Sequence, residues 1–578
     1  MRARIHASSE EGRIKRSVLL LLGVLWAGLV AAEPTHYIVF EVDDAGQPQP
    51  VFHAFVDIDA DPSPLPPQAL ARSDSEFERF TWRPLRDGVA GADRVVEVPR
   101  FLRGEFARDP EHDDNRIVGH HHVQPERLAF VLRVPVAQAQ QIELVGERSL
   151  VHIDLHELAA RADELPLADV APAQIQSRSD GLRGGPGSPL NRVDILVLGD
   201  GYTAGQQAVF NTHANALRTS MFNVSPYREY ANLVNWNTGF TASAQSGADH
   251  PPYQAGCNTT ACCADSSANS DPLAGTFVDT AFDGRFCTNQ IHRLLTVNSG
   301  KIHAAAAAYP GWDVILVTVN DPVYGGAGGS ISVTSAHTSG PLVVIHEYAH
   351  TFHRLADEYT SPYPGYPACS DTGAVPNCEA NVTNQTVRDL VKWRHWYDPV
   401  NIPVPTPNNT PGTGLFQGAR YLESGMYRPT HNSCLMRSLG TTFCPVCRQE
   451  YVKRLYSGWP NGVPAAGIDL IEPGGEFPSP SLPVTYAVGS NRLFSAQVLV
   501  PEGGVNMQWL LDGVPIPGAS NQNHIFHLDT VLPATRTLEL RVTDTSPFVH
   551  PQMADGLTVH SRQWTIHVVD LLFANGFE

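Results

Sequence analysis

Hydrophobic and polar positions alternate along the first part of the chain, as they do in β-strands that bury one face. The alternation is clear in residues 37–42 and 51–56 and returns around 129–132. We therefore predict an N-terminal β-sandwich over residues 33–180. Residues 181–189 are mostly Gly, Pro and Ser, a composition typical of linkers, so we expect a domain boundary there.

A different pattern begins at Val193, where apolar residues follow one another with little alternation. The runs 193–199 and 312–319 are typical of strands buried on both faces, and a helical segment begins near Thr203. Continuous apolar strands separated by helices predict an α/β or α+β domain with a mixed or parallel sheet. We assign residues 190–460 to it.

Short strands return after residue 466, and helical patterns stop. The runs lie at 497–500, 507–511, 538–542 and 564–569. Their spacing, and a resemblance of residues 508–515 to immunoglobulin-like modules, predict an immunoglobulin-like β-sandwich over 466–570 with Trp509 in its core. Residues 571–578 form a C-terminal tail. The predicted architecture is therefore multidomain, with two β-sandwiches flanking the α/β or α+β domain.

The first 32 residues have the pattern of a secretory signal peptide. Basic residues at 13, 15 and 16 precede an apolar run over 18–30, and small residues follow at 31 and 32. The run is shorter than the roughly 20 residues that a spanning helix needs, and no later stretch is apolar enough to span a bilayer. We predict a secreted chain, extracellular, periplasmic or on the cell surface, with no integral membrane association after cleavage.

Charge excludes one class of partner. Residues 1–32 contain five Lys and Arg and two Glu, so their removal would change the formal net charge from −19 to −22. Such an acidic chain would repel the phosphates of nucleic acids rather than neutralise them. We therefore predict no nucleic-acid partner.

All nine cysteines lie between Cys257 and Cys447. In an exported chain this clustering favours disulfides over thiolate metal sites. Cys444 and Cys447 have the spacing of a zinc knuckle, but there is only one such pair, so we expect disulfides here as well. The odd count leaves at least one cysteine outside any intramolecular disulfide.

One segment carries clear candidate chemistry, the HExxH pattern of residues 346–350. Ser339 and Pro341 are typical of a helix start, and helix-compatible apolar spacing runs over 342–356. On a helix, His346 and His350 share one face and can bind the same metal ion, and Glu347 lies beside them as a candidate general base.

Two histidines leave a catalytic zinc site short of one protein ligand, because such sites commonly use three and keep one position open. The long zincin pattern would place a third His at position 356, where this chain has Ala356. Asp357 and Glu358 follow directly. We predict Asp357 as the third ligand, with Glu358 or a residue more distant in sequence as alternatives.

Four segments in the same order resemble peptidase family M64, the immunoglobulin A peptidase-like metallopeptidases. They are residues 193–203, 324–329, 346–359, and 425–429 together with 434–436. The resemblance implies a metzincin-like zinc peptidase domain in which His346 and His350 bind zinc, Glu347 is the general base and Met436 underlies the site. Members of the family commonly have a small residue near His353, whose imidazole we interpret as structural or on the surface.

Two further features have possible roles at the site. The Gly-rich residues 324–329 and the strand 331–333 would provide a closely approaching loop and an edge strand for an extended peptide, or form a plain turn. The Tyr427 hydroxyl is a candidate donor to the oxyanion.

The predicted function is hydrolysis of peptide bonds in an extracellular protein or peptide substrate, with zinc as the cofactor. One alternative is a secreted or surface-attached adhesin with a structural zinc site. Glu347 weighs against it, since a structural site needs no base. The other alternative is a zinc hydrolase of a non-peptide bond.

Overall fold

The computed structural model describes most of the chain as a mixed α/β structure with several sheets and few helices. The predicted signal peptide, most of the predicted linker and the C-terminal tail lie outside the described residues. The described residues are 33–58, 77–105, 120–123, 127–177, 188–360, 366–374, 376–398, 400–458, 467–527, 534–553 and 556–569.

The N-terminal part has two sheets that share one apolar core, and a separate pair of strands, β6 and β7. One sheet has the strand order β2-β1-β8, and the other has the order β10-β9-β3-β4, with β5 also paired to β3. Side chains from both sheets meet in the core, among them Phe40, Phe80 and Phe130. The elements are β1 (Glu33–Val42), β2 (Pro48–Ile58), β3 (Phe77–Arg86), β4 (Val89–Ala90), β5 (Arg94–Pro99), β6 (Leu102–Glu105), β7 (His120–Val123), β8 (Leu128–Pro135), β9 (Gln141–Val145), β10 (Leu150–Asp154) and α1 (Leu155–Ala160).

Strand β1 also joins this part to the centre of the molecule, because its two faces pack on different cores. Ile38 and Phe40 face the N-terminal core, whereas Tyr37 and Val39 face the other way. The Tyr37 hydroxyl donates to the carbonyl of His303 at 2.8 Å. The N-terminal sheets are thus anchored to the central part by buried contacts.

A six-stranded mixed sheet forms the central part, in the order β11-β13-β12-β14-β16-β15. Strands β12, β13, β14 and β16 are parallel, and β11 and β15 are antiparallel to their neighbours. The elements are β11 (Gln174–Ser177), β12 (Val193–Asp200), α2 (Gln207–Met221), β13 (Val234–Phe240), α3 (Ser299–Ala305), β14 (Val314–Val319), β15 (Gly326–Ala327), β16 (Ser332–Ser335), α4 (Gly340–Tyr348), β17 (Phe416–Ala419), β18 (Leu422–Arg428) and α5 (Pro445–Ser457). The apolar runs predicted as buried strands are confirmed as β12 and β14, every residue of which is buried.

Three details of the central part differ from the sequence-based expectation. Strand β11 adds to the central sheet, although the predicted boundary placed it in the N-terminal domain. Residues 332–335 lie inside the sheet rather than at its edge, because residues 326–327 fold back antiparallel to them as β15. The helix predicted over 342–356 ends at His353, since Arg354 adopts a positive φ of 56°.

The C-terminal part again has two sheets, in the orders β19-β21-β24 and β20-β26-β25-β22-β23. Trp509 and Trp564 are fully buried between them, with ring centroids 5.3 Å apart, so the predicted core position of Trp509 is confirmed. The strands are β19 (Ile471–Phe477), β20 (Val484–Ala487), β21 (Asn491–Val498), β22 (Val505–Leu511), β23 (Val514–Pro515), β24 (Asn523–His527), β25 (Ala534–Asp544) and β26 (Val559–Val569).

Six of the nine cysteines form disulfides within the central part. The pairs are Cys257–Cys262, Cys263–Cys287 and Cys369–Cys378. Cys434, Cys444 and Cys447 are free and buried, so the expectation of disulfides at Cys444 and Cys447 is wrong. Within the part of the chain that the structure describes, no helix is both long enough and apolar enough to cross a bilayer.

Candidate metal centre

Helix α4 carries the first part of the candidate site. It begins after Ser339 with Pro341 in its first turn, and it holds His346 and Glu347 in its buried last turn. The chain continues as a π-helical turn over Ala349–His353, which carries His350. The two imidazoles therefore lie on one face, with ring centroids 4.7 Å apart.

Arg354 brings the third residue into place. Its positive φ ends the helix and reverses the chain, and Asp357 returns to the two imidazoles. The Arg354 guanidinium forms an ion pair with Glu97 of β5, whose carboxylate is buried and also accepts from Arg79. The N-terminal sheets thus hold the loop that presents Asp357.

Three donor atoms converge at the centre of the site. Nε2 of His346 lies 2.9 Å from Nε2 of His350, and each of these nitrogens lies 3.1 Å from Oδ1 of Asp357. All three side chains are buried and form a group that could hold a metal ion.

The hydrogen bonds of the two rings indicate that Nδ1 carries a proton in each. Nδ1 of His346 lies 3.1 Å from the carbonyl oxygen of Leu435, and Nδ1 of His350 lies 2.7 Å from that of Leu355. A carbonyl only accepts, so each Nδ1 carries a proton, and a ring that is neutral then presents its Nε2 lone pair to the centre. Two lone pairs and a carboxylate oxygen at this separation repel one another unless a cation lies among them.

The donor set fits zinc. For Zn–N and Zn–O distances of about 2.0–2.1 Å, tetrahedral geometry separates neighbouring ligand atoms by about 3.3 Å. The observed separations of 2.9–3.1 Å are a few tenths of an ångström shorter. Two histidines and one carboxylate also match the ligand number of catalytic zinc sites, which leave one position for water or substrate.

Polar groups around the triad hold its members, and no sequence motif indicates a role for them. The Tyr421 hydroxyl donates to Oδ2 of Asp357, the oxygen that faces away from the imidazoles. The Tyr359 hydroxyl lies 3.3 Å from Nε2 of His346. Asn381 receives a hydrogen bond from the amide of Ala356 and donates to its carbonyl. Tyr359 follows Asp357 closely in sequence, but only the fold brings Tyr421 and Asn381 to the loop.

Glu347 lies against the Gly-rich loop. A Cβ atom built on Gly328 would overlap Oε2 of Glu347 and lie 2.7 Å from its Cδ. The loop therefore approaches the candidate base as closely as a glycine allows, as the sequence predicted for residues 324–329. Strand β6 lies beside β15 on this side of the molecule.

The turn that contains Leu435 and Met436 contacts the site through its backbone carbonyls. Leu435 supplies the carbonyl that orients His346, and the carbonyl of Met436 accepts from the amide of Glu358 at 2.9 Å. Met436 is fully buried. The position of its side chain under the site stays what the family resemblance implies.

The remaining candidates lie away from the triad. Glu358 points to a cluster of cysteines, so the structure brings Asp357 rather than Glu358 to the imidazoles. Tyr427 pairs through its backbone with Thr383, and its catalytic role stays a prediction. His353 is fully buried among aromatic rings, with Nε2 3.0 Å from the Tyr227 hydroxyl, and burial lowers its pKa to about 3. A structural role fits these contacts.

Comparison with protein families finds one match, in the central part. The model of the IgA peptidase M64 family matches residues 184–262 and 253–411. The matched segments include β12, the Gly-rich loop, α4 and the loop to Asp357, and they end before the turn that carries Met436. The search of curated proteins found no match. Residues 184–411 of this chain are therefore similar to the IgA peptidase M64 family, a family of peptidases.

Proposed function

We propose that this chain is a secreted zinc-dependent endopeptidase that hydrolyses peptide bonds of extracellular proteins. One observation carries the proposal. Nε2 of both imidazoles and a carboxylate oxygen of Asp357 point at a common centre, and both rings are oriented for this by backbone carbonyls. The match to a peptidase family supports the same conclusion.

The chemistry follows from the residues around that centre. A zinc ion held by His346, His350 and Asp357 would lower the pKa of its bound water and polarise the scissile carbonyl. Glu347 accepts the proton of the attacking water and returns it to the leaving amine nitrogen. Tyr427 is the proposed donor to the oxygen on which negative charge develops.

The remaining parts of the proposal concern architecture and location. The mixed sheet, the HExxH helix and the turn at Met436 support a metzincin-like catalytic domain. The two C-terminal sheets around Trp509 support an immunoglobulin-like domain. Three disulfides and the signal-like residues 1–32 support secretion.

Two other functions would use the same site differently. An adhesin with a structural zinc ion would not need Glu347, which lies within the ligand helix beside the Gly-rich loop. A hydrolase of a non-peptide bond would use the same water and base, because the metal does not select the electrophile. The family assignment favours the peptidase over both.

Casein cleavage by metal-loaded protein tests the proposal. The wild-type chain is compared with Glu347→Gln, which keeps the size of the side chain but removes the base. We expect Glu347→Gln to retain zinc at the triad and to lose cleavage by a factor of about 100 or more. Asp389→Asn serves as a matched control, because Asp389 lies in a separate short helix and is exposed.

Equal cleavage by the wild type and Glu347→Gln would refute the assignment of the base. If zinc-loaded wild type fails to cleave any member of a broad panel of proteins, the peptidase proposal is wrong. A ligand-binding measurement on residues 467–569 expressed alone tests the adhesin alternative. Binding of a ligand by this part, with loss of zinc affecting only stability, would favour that alternative.

A further inference from the structure

A second group of potential metal ligands lies next to the triad. Cys434, Cys444 and Cys447 converge with Glu358, and their donor atoms all lie within 4.8 Å of one another. All four residues are buried. The chain brings them together from three places: the loop after the metal-binding helix, the turn before Met436, and the start of α5.

Local structure positions each member of the group. Cys444 precedes α5 and Cys447 lies in its first turn, so both sulfur atoms face the same side. Cys434 begins the turn that carries Met436, where its carbonyl accepts from the amides of Arg437 and Ser438. Glu358 is held by its own amide, which donates to Met436, and by Asn381, which donates to Oε1 at 3.1 Å.

The separations match those of ligands around a small cation. Sγ of Cys447 lies 3.4 Å from Sγ of Cys444, 3.6 Å from Sγ of Cys434 and 3.8 Å from Oε1 of Glu358. For a Zn–S distance of about 2.3 Å, tetrahedral geometry separates neighbouring sulfur atoms by about 3.8 Å. The sulfur atoms are therefore a few tenths of an ångström closer than in a filled site.

The polar atoms of the group lack sufficient partners without a cation. Oε2 of Glu358 is buried and has no hydrogen-bond partner among the described residues. The nearby Arg428 guanidinium donates to the carbonyls of Gln417, Gly418 and His431. A buried carboxylate with one oxygen unsatisfied is costly, and a metal ion bound to it would offset that cost.

A disulfide explains the group less well. If two of the three cysteines were oxidised, the third would remain a buried thiol beside the carboxylate, and Glu358 would gain no countercharge. A metal ion engages all three sulfur atoms and the carboxylate together. Thiolates select zinc among the common divalent ions, and a site with four protein ligands is closed to water.

We propose that Cys434, Cys444, Cys447 and Glu358 bind a second zinc ion with a structural role. The site has a direct consequence for the catalytic centre, because Asp357 and Glu358 are neighbours in sequence and point to different sites. A zinc ion on Glu358 holds the backbone from which Asp357 reaches the imidazoles. It also ties this loop to α5 and to the turn whose Leu435 carbonyl orients His346.

Metal analysis of the full-length mature chain tests this proposal independently of peptidase activity. The double variant His346→Ala/His350→Ala removes the triad and leaves the cysteine site intact. We expect two equivalents of zinc in the wild type and one in this variant. Adding Cys434→Ser and Cys447→Ser should remove the remaining equivalent, whereas Cys257→Ser/Cys262→Ser, which opens a disulfide elsewhere, should keep it.

Two measurements on protein with all its cysteines keep the test independent of folding defects. With cobalt in place of zinc, the variant without the triad should show thiolate-to-metal charge-transfer absorption. After denaturation in a chelator without reductant, three thiols per wild-type chain should react with a thiol reagent. Only one reactive thiol, or no metal in the variant without the triad, would overturn the proposal.

Discussion

Replacement of Gly328 by alanine is a sharp test of how the Gly-rich loop and the candidate base fit together. The backbone at Gly328 does not have the positive φ that disfavours other residues, so the added methyl group acts through its volume alone. That methyl would lie 2.7 Å from Cδ of Glu347 and would overlap Oε2.

The size of the effect follows from this distance. Carbon atoms in contact are separated by about 3.5–4.0 Å, so the carboxylate or the loop must move by about 1 Å. A displacement of about 1 Å at a reacting group can reduce the rate by about 100-fold. We therefore expect Gly328→Ala to lower kcat/KM for casein by about two orders of magnitude, with zinc still bound at the triad.

Gly329→Ala provides the matched control in the same loop. Its Cβ would lie 3.2 Å from the flexible end of Leu102, a contact that a small side-chain movement relieves. The assay compares casein cleavage, zinc content and thermal unfolding of the two variants with the wild type. Wild-type activity in Gly328→Ala, or an equal loss in Gly329→Ala, would refute the steric argument.

Three other substitutions test separate features. Tyr421→Phe removes the hydroxyl that holds Oδ2 of Asp357, and competition with a chelator should show about 10–100-fold weaker zinc binding. Tyr427→Phe should lower kcat for casein by about 100-fold with little change in KM; unchanged kcat would exclude the oxyanion role. Burial lowers the pKa of His303 to about 3, so below about pH 6.5 the unfolded chain binds a proton that the folded chain excludes. The free energy of unfolding should therefore fall by about 1.4 kcal/mol for each pH unit below about pH 6.5 because of this group. Between neutral pH and about pH 5, the unfolding temperature of His303→Gln should decrease less than that of the wild type.

Much of the architecture could be predicted because it depends on short-range patterns. Alternating residues predicted strands such as β1 and β8, and continuous apolar runs predicted β12 and β14. The exceptions lie where a neighbouring segment decides the structure. Residues 332–335 became an inner strand because residues 326–327 fold back on them, and a local pattern contains no information about that pairing.

In the candidate site, too, some features follow from local sequence and others depend on distant segments. The spacing of His346 and His350 places both on one helix face, so two candidate ligands and the candidate base follow from five residues of local sequence. The position of Asp357, rather than Glu358, beside the imidazoles does not follow from local sequence. It depends on the reversal at Arg354, a residue held by Glu97 from a distant strand. Successive side chains of the loop point in different directions, so Asp357 lies beside the imidazoles and Glu358 lies beside the cysteines.

The cysteines illustrate the limit of sequence spacing most clearly. Their number and odd count indicated that at least one would lie outside any disulfide, and three do. The sequence by itself determined most of the strands, the helix that carries His346 and Glu347, the candidate roles of His346, Glu347 and His350, and the resemblance to a peptidase family, because these depend on residues close together in the chain. Only the tertiary structure decided which carboxylate lies beside the imidazoles, which carbonyls orient these rings and how three thiols meet Glu358. These depend on contacts between residues far apart in the chain, such as the 89 positions that separate His346 from Leu435 and Glu358 from Cys447, and their geometry arises when the whole core packs.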